Sequence, residues 1–283
     1  MTTTCSRRAL LAGLAAGIGS AAFAEAPVIG VRPKARNGAL SAEPVKAVGD
    51  AVVARAGLKG RVAYAIADAE TGQILDARLS EQPMPPASTL KAVTALYALD
   101  RLGDDYCFKT DIYVNGEVVE GRLEGDLVLA GRGDPTLDTD RLAELTIALK
   151  EAGITTVAGR FLVWSDALPR GDRIAHDQPE HVAYNPAFCG LNLNFNRVHF
   201  EWLPKGKEFE LTMQAPGLKF RPDTKIARMT IVDRGAPVYD YQRGYNKDLW
   251  SVARGSLGKK KGARWLPVRF PALYAGDVFR LLN

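Results

Sequence analysis

Two residues that could do chemistry together, Ser88 and Lys91, stand three positions apart in the stretch PPASTLKAVTAL. A serine hydroxyl becomes a nucleophile when a neighbouring base takes its proton, and a neutral lysine amine can act as that base. Residues three apart on a helix share one face, and free N–H groups at a helix N-terminus can stabilise an oxyanion. The spacing therefore allows nucleophilic catalysis by Ser88 with Lys91 as its general base.

A structural role is the alternative for this pair, because serine at the start of a helix is usually a cap. The same spacing also occurs a second time, at Ser256 and Lys259, within a segment rich in glycine and lysine that has no helical pattern. We interpret that second copy as accidental. Spacing alone does not identify a catalytic serine, so the surrounding sequence has to decide.

The segments around Ser88 predict helices and a hairpin. Residues 44–56 carry apolar side chains at helical spacing, and residues 62–67 and 74–77 have the composition of two strands joined by a turn. Residues 88–102 are apolar nearly all round, which is typical of a buried helix, and Gly103 suits its C-terminal end. The motif is therefore predicted to open a buried helix that follows a hairpin.

The sequence after residue 104 is mostly of strand character. Asn115 followed by Gly116 is a hairpin signal within a run of strand formers. Residues 155–166 indicate a pair of strands, and residues 195–240 contain further short strands separated by glycine and proline. This part of the chain is predicted to be mainly β.

Two amphipathic helices interrupt or follow these strands. One begins at Asp138 or Thr139 as its N-cap and stops at Gly153, and the other covers residues 274–282. Each is predicted to bury its apolar face.

The N-terminus indicates export. Residues 1–24 contain Arg7 and Arg8 before a short Ala/Gly/Leu-rich segment that ends in an A-x-A pattern, which resembles a cleaved twin-arginine signal rather than an anchor. Removing both arginines and no acid lowers the formal charge from +5 to +3, too weakly basic to indicate nucleic acid binding. The 47% hydrophobic content supports a real core. No stretch after residue 30 is long and apolar enough to span a bilayer.

The cysteines and histidines predict no metal site. Cys5 would leave with the signal, and Cys107 and Cys189 remain as an even pair that a disulfide could join in an oxidising compartment. There is no C-x-x-C, and none of the three histidines stands at ligand spacing. No metal and no cofactor are predicted.

Four stretches, taken together, carry a resemblance to a known family: PMPPASTLKAVTALYAL, EGDLVLAGRGDPTL, VAGRFLVWSD and YNPAFCGLNLNFNRV. They resemble the class C low-molecular-mass penicillin-binding proteins, which are D-alanyl-D-alanine carboxypeptidase/endopeptidases of the penicillin-binding protein 4 type. The resemblance runs from about residue 48 to the last residue. Each stretch alone would be unspecific, whereas their combination is specific.

The resemblance implies an α+β fold, a partial β-lactamase/transpeptidase-like domain interrupted by a large, mostly β insert. We expect residues 25–103 and 268–283 to belong to that domain and residues 104–267 to form the insert. Ser88 would attack the D-Ala–D-Ala carbonyl of peptidoglycan stem peptides, with Lys91 as base, and β-lactams would acylate it. Asp134 would meet the amino group of the diaminopimelate side chain, unless Asp134 and the following proline form only a turn. The location implied is the periplasm.

Two further motifs of the family, S-x-N and K-T-G, are absent from the sequence. In the family they follow the insert, so we expect this chain to correspond to a truncated form that is inactive or nearly so. Removing one oxyanion donor alone costs on the order of 100- to 1000-fold in rate. Exposed apolar faces on the Ser88 helix and an open sheet edge are expected consequences.

Two other functions compete with this interpretation. The chain could be a non-catalytic periplasmic protein that keeps the insert as a peptidoglycan-binding or interaction module. It could also be a β-lactamase or esterase of the same superfamily, which is the weakest alternative because β-lactamases lack the long insert.

Overall fold

The computed structural model describes residues 46–283, so the predicted signal segment at 1–24 lies outside the described residues. Helices and sheets are mixed along the chain, which confirms the α+β class. The chain forms two compact units, the first ending at Tyr106 and the second running from Cys107 to Asn283.

The first unit contains the helices and the hairpin that the sequence predicts. The turn of the hairpin is held by Asp68, whose carboxylate accepts hydrogen bonds from the backbone N–H of Thr71 at 2.7 Å and from that of Glu70 at 3.1 Å. Gly103 ends the second helix with a positive φ of 79°. The bounds are Lys46–Ala56 (α1), Tyr64–Ala67 (β1), Ile74–Arg78 (β2) and Leu90–Leu102 (α2).

The prediction that the helix after Ser88 is buried was wrong. No residue of α2 is buried, and Val93, Leu96 and Tyr97 are 61%, 68% and 62% exposed. The only described sheet in this unit is the two-stranded β1–β2 hairpin, which offers too little surface to cover a helix that is apolar all round. The expected exposure of apolar side chains on this helix is confirmed.

The second unit contains three small sheets and two helices. In the first sheet β4 lies between β3 on one side and β5 and β6 on the other. In the other two sheets β7 lies between β8 and β12, and β11 lies between β9 and β10. The bounds are Thr110–Val119 (β3), Arg122–Gly131 (β4), Thr139–Glu151 (α3), Thr156–Val157 (β5), Phe161–Trp164 (β6), Arg197–Lys205 (β7), Glu208–Gln214 (β8), Ala227–Val232 (β9), Tyr239–Gly244 (β10), Lys247–Ala253 (β11), Gly262–Pro267 (β12) and Pro271–Leu282 (α4).

The hairpin signal at Asn115 and Gly116 does not mark the turn. Both lie inside β3, and the chain turns instead at Glu120 and Gly121, with φ values of 49° and 81°. Gly116 pairs with Gly125 of β4. A Cβ added to Gly125 would lie 1.6 Å from the carbonyl oxygen of Asn115. The glycines therefore serve a close approach of two strands rather than a reversal.

The strand pair predicted at 155–166 is also wrong in its pairing. β5 and β6 each run parallel to β4, as one strand interrupted between them. At the interruption, the N–H of Gly159 donates to the carbonyl of Gly125 at 3.0 Å, and the N–H of Arg160 donates to Asp126 Oδ1 at 2.8 Å. These two hydrogen bonds keep the segment between β5 and β6 beside β4. The two strands therefore do not pair with each other.

The last helix packs in the core of the second unit. α4 begins at Pro271, three residues before the predicted start, as suits proline in a first turn. Phe279 stacks on Phe161 with ring centroids 5.3 Å apart, and the buried Tyr274 donates its hydroxyl to the carbonyl of Arg197 at 3.0 Å. The assignment of residues 268–283 to the transpeptidase-like domain stays a prediction.

The N-cap of α3 gives a first stability prediction. Asp138 Oδ1 accepts the backbone N–H of Arg141 at 2.8 Å, as the sequence predicts. We expect Asp138→Ala to lower the free energy of unfolding by about 1 kcal/mol, measured by urea denaturation. Glu144→Ala, at an exposed position of the same helix without a hydrogen bond or ion pair in the described chain, is the matched control and should change it by less than about 0.5 kcal/mol. Equal effects of both variants would contradict the assigned cap.

A buried carboxyl in β11 gives a second prediction, on pH. Asp248 is fully buried. Its carboxylate accepts hydrogen bonds from the Tyr241 hydroxyl and from the backbone N–H of Arg269, both at 3.0 Å. Burial outweighs these bonds and raises the pKa of Asp248 from 3.8 to about 6. The folded state therefore binds the proton more tightly than the unfolded state, so this stabilisation is present below about pH 4 and is lost as pH rises through about 6.

Asp248→Asn removes that titration. Relative to the variant, the wild type should lose on the order of 2 to 3 kcal/mol in the free energy of unfolding between pH 4 and pH 7. Urea titrations at several pH values measure the difference. Parallel pH curves for the two proteins would show that Asp248 does not titrate in this range.

Candidate active site

Ser88 lies on a tight turn directly before α2. The 3₁₀ turn Ala87–Thr89 leads into the helix, and Ala87 has a positive φ of 46°. The backbone N–H and the hydroxyl of Thr89 both donate to the carbonyl of Pro86, at 3.0 and 2.5 Å. This role of Thr89 is not among the features predicted from the sequence, although a proline three residues before a threonine is an available turn signal. The turn fixes the backbone that carries Ser88.

The side chains of Ser88 and Lys91 meet as the spacing predicts. Lys91 Nζ donates a hydrogen bond to Ser88 Oγ at 2.8 Å, and both side chains are exposed. The same separation lets a neutral amine accept the serine proton, so the pair is within reach for proton transfer. In the described chain Ser88 Oγ caps no backbone N–H, so its side chain is not occupied as a helix cap.

The second Ser-x-x-Lys copy has a different geometry. Ser256 Oγ donates to the carbonyl of Ala253 at 2.7 Å within the 3₁₀ turn Arg254–Ser256. Among the hydrogen bonds of residues 46–283, none joins Ser256 to Lys259. The structure therefore supports the interpretation of this copy as accidental.

Asp134 lies in the second unit, in the loop after β4. It is only 8% exposed, and its Oδ1 accepts hydrogen bonds from the backbone N–H and from the hydroxyl of Thr136, both at 2.8 Å. These bonds form a turn, which the sequence allows as the alternative to a substrate-binding role for Asp134. Its other oxygen, Oδ2, accepts no hydrogen bond within the described part of the chain, and the substrate role of Asp134 stays a prediction.

The disulfide between Cys107 and Cys189 that the sequence allows is not formed in the structure. The thiol of Cys189 is free and buried, and it donates to the carbonyl of Leu191 at 3.0 Å. Burial raises the pKa of this thiol, so it is held as the neutral S–H. Cys107 and Cys189 are not joined.

Residues 46–283 contain neither a membrane-spanning helix nor a metal-binding cluster. No helix there has the length and apolar character needed to cross a bilayer. No three His, Cys, Asp or Glu side chains in the same range are grouped so that they could hold a metal ion.

Comparison with known proteins identifies the family. The family model described as the D-Ala-D-Ala carboxypeptidase 3 (S13) family matches residues 46–280. The chain belongs to this family. The resemblance inferred from the four sequence stretches is thereby confirmed.

Individual relatives of this S13 chain are more distant. It is 30% identical over 151 residues to the D-alanyl-D-alanine carboxypeptidase of Actinomadura sp. (strain R39), covering 51% of this chain and 27% of that protein. It is 34% identical over 90 residues to the D-alanyl-D-alanine carboxypeptidase DacB of Haemophilus influenzae, covering 32% and 19%. The matches span less than a third of either curated relative.

Solved structures support the fold. The crystal structure of penicillin binding protein 4 (dacB) from Haemophilus influenzae matches with a TM-score of 0.61 at 24% identity, over 82% of this chain and 52% of that one. The same protein complexed with a novel β-lactam matches with a TM-score of 0.58 at 22% identity, over 82% and 51%. The S13 chain thus spans about half of that structure and shares its fold over the matched part.

Proposed function

We propose that this S13 chain is a serine-type D-alanyl-D-alanine carboxypeptidase/endopeptidase that works through an acyl-enzyme on Ser88. The observation that carries the proposal is the 2.8 Å contact between Lys91 Nζ and Ser88 Oγ at the start of α2. Because residues 46–280 match a family of D-Ala-D-Ala carboxypeptidases, we interpret the contact as a nucleophile beside its general base. The peptidoglycan stem peptide, which ends in D-Ala–D-Ala, is the proposed substrate.

The reaction begins when the Lys91 amine takes the proton from Ser88 Oγ. The oxygen attacks the carbonyl carbon of the D-Ala–D-Ala peptide bond, and the carbonyl oxygen gains the negative charge. A backbone N–H that faces the carbonyl oxygen would stabilise that charge. The C–N bond then breaks as the protonated Lys91 returns its proton to the leaving nitrogen, and D-alanine departs. Water then gives a proton to Lys91 and attacks the acyl ester, which regenerates the Ser88 hydroxyl and releases the acid.

Asp134 is the proposed contact for the free amino group of the diaminopimelate side chain. The uncommitted oxygen, Oδ2, is available for that contact, while Oδ1 holds the turn. β-Lactams are proposed to acylate Ser88 in the same way as the peptide does. The β-lactam complex of the Haemophilus relative supports this part of the proposal.

The proposed location is the periplasm, reached through a twin-arginine signal in residues 1–24 that is cleaved. This part rests on Arg7, Arg8 and the A-x-A pattern, which lie outside the described residues. For the domains, we propose that residues 25–103 and 268–283 belong to the transpeptidase-like domain and that residues 104–267 form the insert.

Release of D-alanine tests the proposed activity. The protein is incubated with a diaminopimelate-containing pentapeptide ending in D-Ala–D-Ala, and free D-alanine is measured with a D-amino acid oxidase assay over long times. Long times are needed because the 283 residues contain neither S-x-N nor K-T-G, which predicts slow turnover.

We expect slow D-alanine release from this peptide and no alanine release from the matched peptide ending in L-Ala–L-Ala, the latter followed by chromatography. Complete absence of release, with binding of the peptide retained, would overturn the enzymatic proposal in favour of a non-catalytic binding protein. Equal cleavage of both peptides would overturn the proposed substrate.

A further inference from the structure

The loop between β8 and β9 displays apolar side chains at the surface of the second unit. Residues 216–221 have the sequence PGLKFR, in which Leu218 is 99% exposed and Phe220 is also exposed. Single exposed apolar residues are common on protein surfaces, so the meaning of Leu218 depends on what holds and surrounds it.

The carboxylate of Asp140, in the first turn of α3, holds this loop in place. It accepts hydrogen bonds from the backbone N–H groups of Leu218 at 2.7 Å, Lys219 at 3.1 Å and Phe220 at 3.2 Å. The N–H of Gly217 donates to the carbonyl of Phe220 at 2.7 Å, which closes the loop on itself. These bonds fix the backbone, so the leucine side chain is held out in water instead of folding inward.

A second exposed apolar side chain is held at the same end of α3. The hydroxyl of Thr139 donates to the carbonyl of Ala215 at 2.9 Å and accepts a hydrogen bond from Asn194 Nδ2 at 2.9 Å. It therefore joins the start of the loop to the turn 194–196. Phe195, in the middle of this turn, is 61% exposed, and all three residues have φ values of 51° to 56°, which are unfavourable for residues other than glycine. The phenylalanine is thus displayed at a cost in backbone strain.

Basic side chains surround these apolar groups. Lys219 and Arg221 are exposed on the loop, and neither makes an ion pair within residues 46–283. The guanidinium of Arg197 lies 5.0 Å from the centroid of the Phe195 ring and also has no ion pair in that range. Burial lowers the pKa of His199 on β7, and the positive charge of Arg221 lowers it further, which places Arg221 near the strand that begins at Arg197.

Most acids in this region are already engaged. Asp140 binds the loop backbone, Asp138 caps α3, and Glu201 pairs with Lys261 at 3.0 Å. Asp223 is the exposed acid that follows the loop. The loop patch, as we name this group, therefore combines projecting apolar side chains with an excess of positive charge. It consists of Phe195, Arg197, Leu218, Lys219, Phe220 and Arg221.

We propose that the loop patch binds the surface of a bilayer that contains anionic phospholipids. Leu218 enters the boundary between headgroups and acyl chains, and the three basic side chains bind lipid phosphates. A lipid surface adapts around a projecting tip, whereas a second copy of the chain or another protein would need a matching pocket. The patch belongs to the second unit alone, and the proposal does not depend on the function proposed for Ser88.

A fluorophore at position 218 tests whether the tip enters the bilayer. Leu218→Cys is made in the full chain together with Cys5→Ser and Cys107→Ser, since the thiol of Cys189 is buried and protected from the reagent. The labelled protein is mixed with vesicles of equimolar phosphatidylcholine and phosphatidylglycerol. Val119→Cys in the same background is the control, because Val119 is exposed beside the opposite end of α3.

We expect a blue shift of the emission and quenching by spin-labelled lipids at position 218, and neither at position 119. This readout reports the position of the loop itself, so binding of the vesicles by another part of the chain does not imitate it. An unchanged spectrum at position 218, or equal changes at the two positions, would overturn the proposal.

Vesicle co-sedimentation of unlabelled variants measures what Leu218 contributes. Leu218→Ser should weaken binding at least about fivefold, whereas Val119→Ser should leave it within a factor of about two. Because Leu218 is almost wholly exposed, its substitution leaves the fold intact. Binding by Leu218→Ser that equals the wild type would contradict the assigned tip. Self-association without lipid that Leu218→Ser abolishes would assign the patch to a second copy of the chain and overturn the proposal.

The charge requirement is tested with a double variant. Lys219→Gln combined with Arg221→Gln should weaken binding to the mixed vesicles at least about tenfold at low salt. Lys59→Gln combined with Lys207→Gln removes the same charge at exposed positions outside the patch and should weaken it by less than about threefold. Equal weakening by the two double variants, or binding to pure phosphatidylcholine vesicles as tight as to the mixed ones, would overturn the proposal.

Discussion

The Ser88→Ala variant is expected to lose covalent labelling by a fluorescent penicillin completely, and its slow D-alanine release should fall below detection. The substitution removes the oxygen that forms the acyl bond, and the neighbouring hydroxyl of Thr89 donates to the Pro86 carbonyl instead. Ser88 is exposed and caps no backbone group in the described chain, so the free energy of unfolding should change by less than about 0.5 kcal/mol. Gel fluorescence measures the labelling, and urea denaturation measures the stability.

Ser256→Ala is the matched control, because Ser256 has the same Ser-x-x-Lys spacing but donates its hydroxyl to the Ala253 carbonyl. It should be labelled at the wild-type rate. Labelling that persists in Ser88→Ala and disappears in Ser256→Ala would show that the wrong serine has been assigned.

The Lys91→Gln variant is expected to show the second largest effect, a decrease of about 10² to 10⁴ in the rate of acylation by penicillin. Glutamine has a shorter apolar stem and a neutral amide, which cannot accept the serine proton at neutral pH. Because Ser88 remains, labelling should be slow rather than absent. Stopped-time gel fluorescence at several penicillin concentrations gives the second-order rate constant.

Lys59→Gln is the control for lost positive charge in the same unit, since Lys59 is exposed and lies before the hairpin. Its acylation rate should equal that of the wild type. If Lys91→Gln were acylated as fast as the wild type, Lys91 would not be the general base.

Elements defined by local hydrogen bonds were predictable from the sequence. The turn at Asp68 and the N-cap at Asp138 are each closed by bonds to residues two or three positions away, which a short stretch of sequence specifies. The contact of Ser88 with Lys91 belongs to the same group, because one helical turn brings the two together. The core of the candidate site could therefore be predicted.

Features set by distant partners could not be predicted in this way. Gly116 marks a close strand approach only because Gly125 lies opposite, and residues 156–164 pair with β4 rather than with each other. The exposure of Leu96 depends on which elements pack against α2. The apolar pattern of the helix does not show which elements those are. Burial and pairing are decided by the whole fold.

A cavity of about 520 Å³ in the second unit shows the same limit. Arg170, Arg243 and Arg269 are separated by dozens of residues, and none belongs to a motif that the sequence analysis recognised. Only the folded chain brings them to one wall. Asp134 combines both cases. Its turn is formed by local hydrogen bonds and could be predicted, whereas its proposed contact with the substrate could not be predicted from local sequence.

Mass spectrometry of the penicillin-treated protein tests the central claim most directly. Full-length protein is incubated with benzylpenicillin, digested with trypsin and fragmented, so that any penicilloyl group is assigned to one residue. Cleavage after Arg78 and Lys91 gives the peptide LSEQPMPPASTLK, in which fragmentation distinguishes Ser80, Ser88 and Thr89. We predict a single adduct on Ser88. An adduct on any other residue, or no adduct after prolonged incubation, would contradict the account.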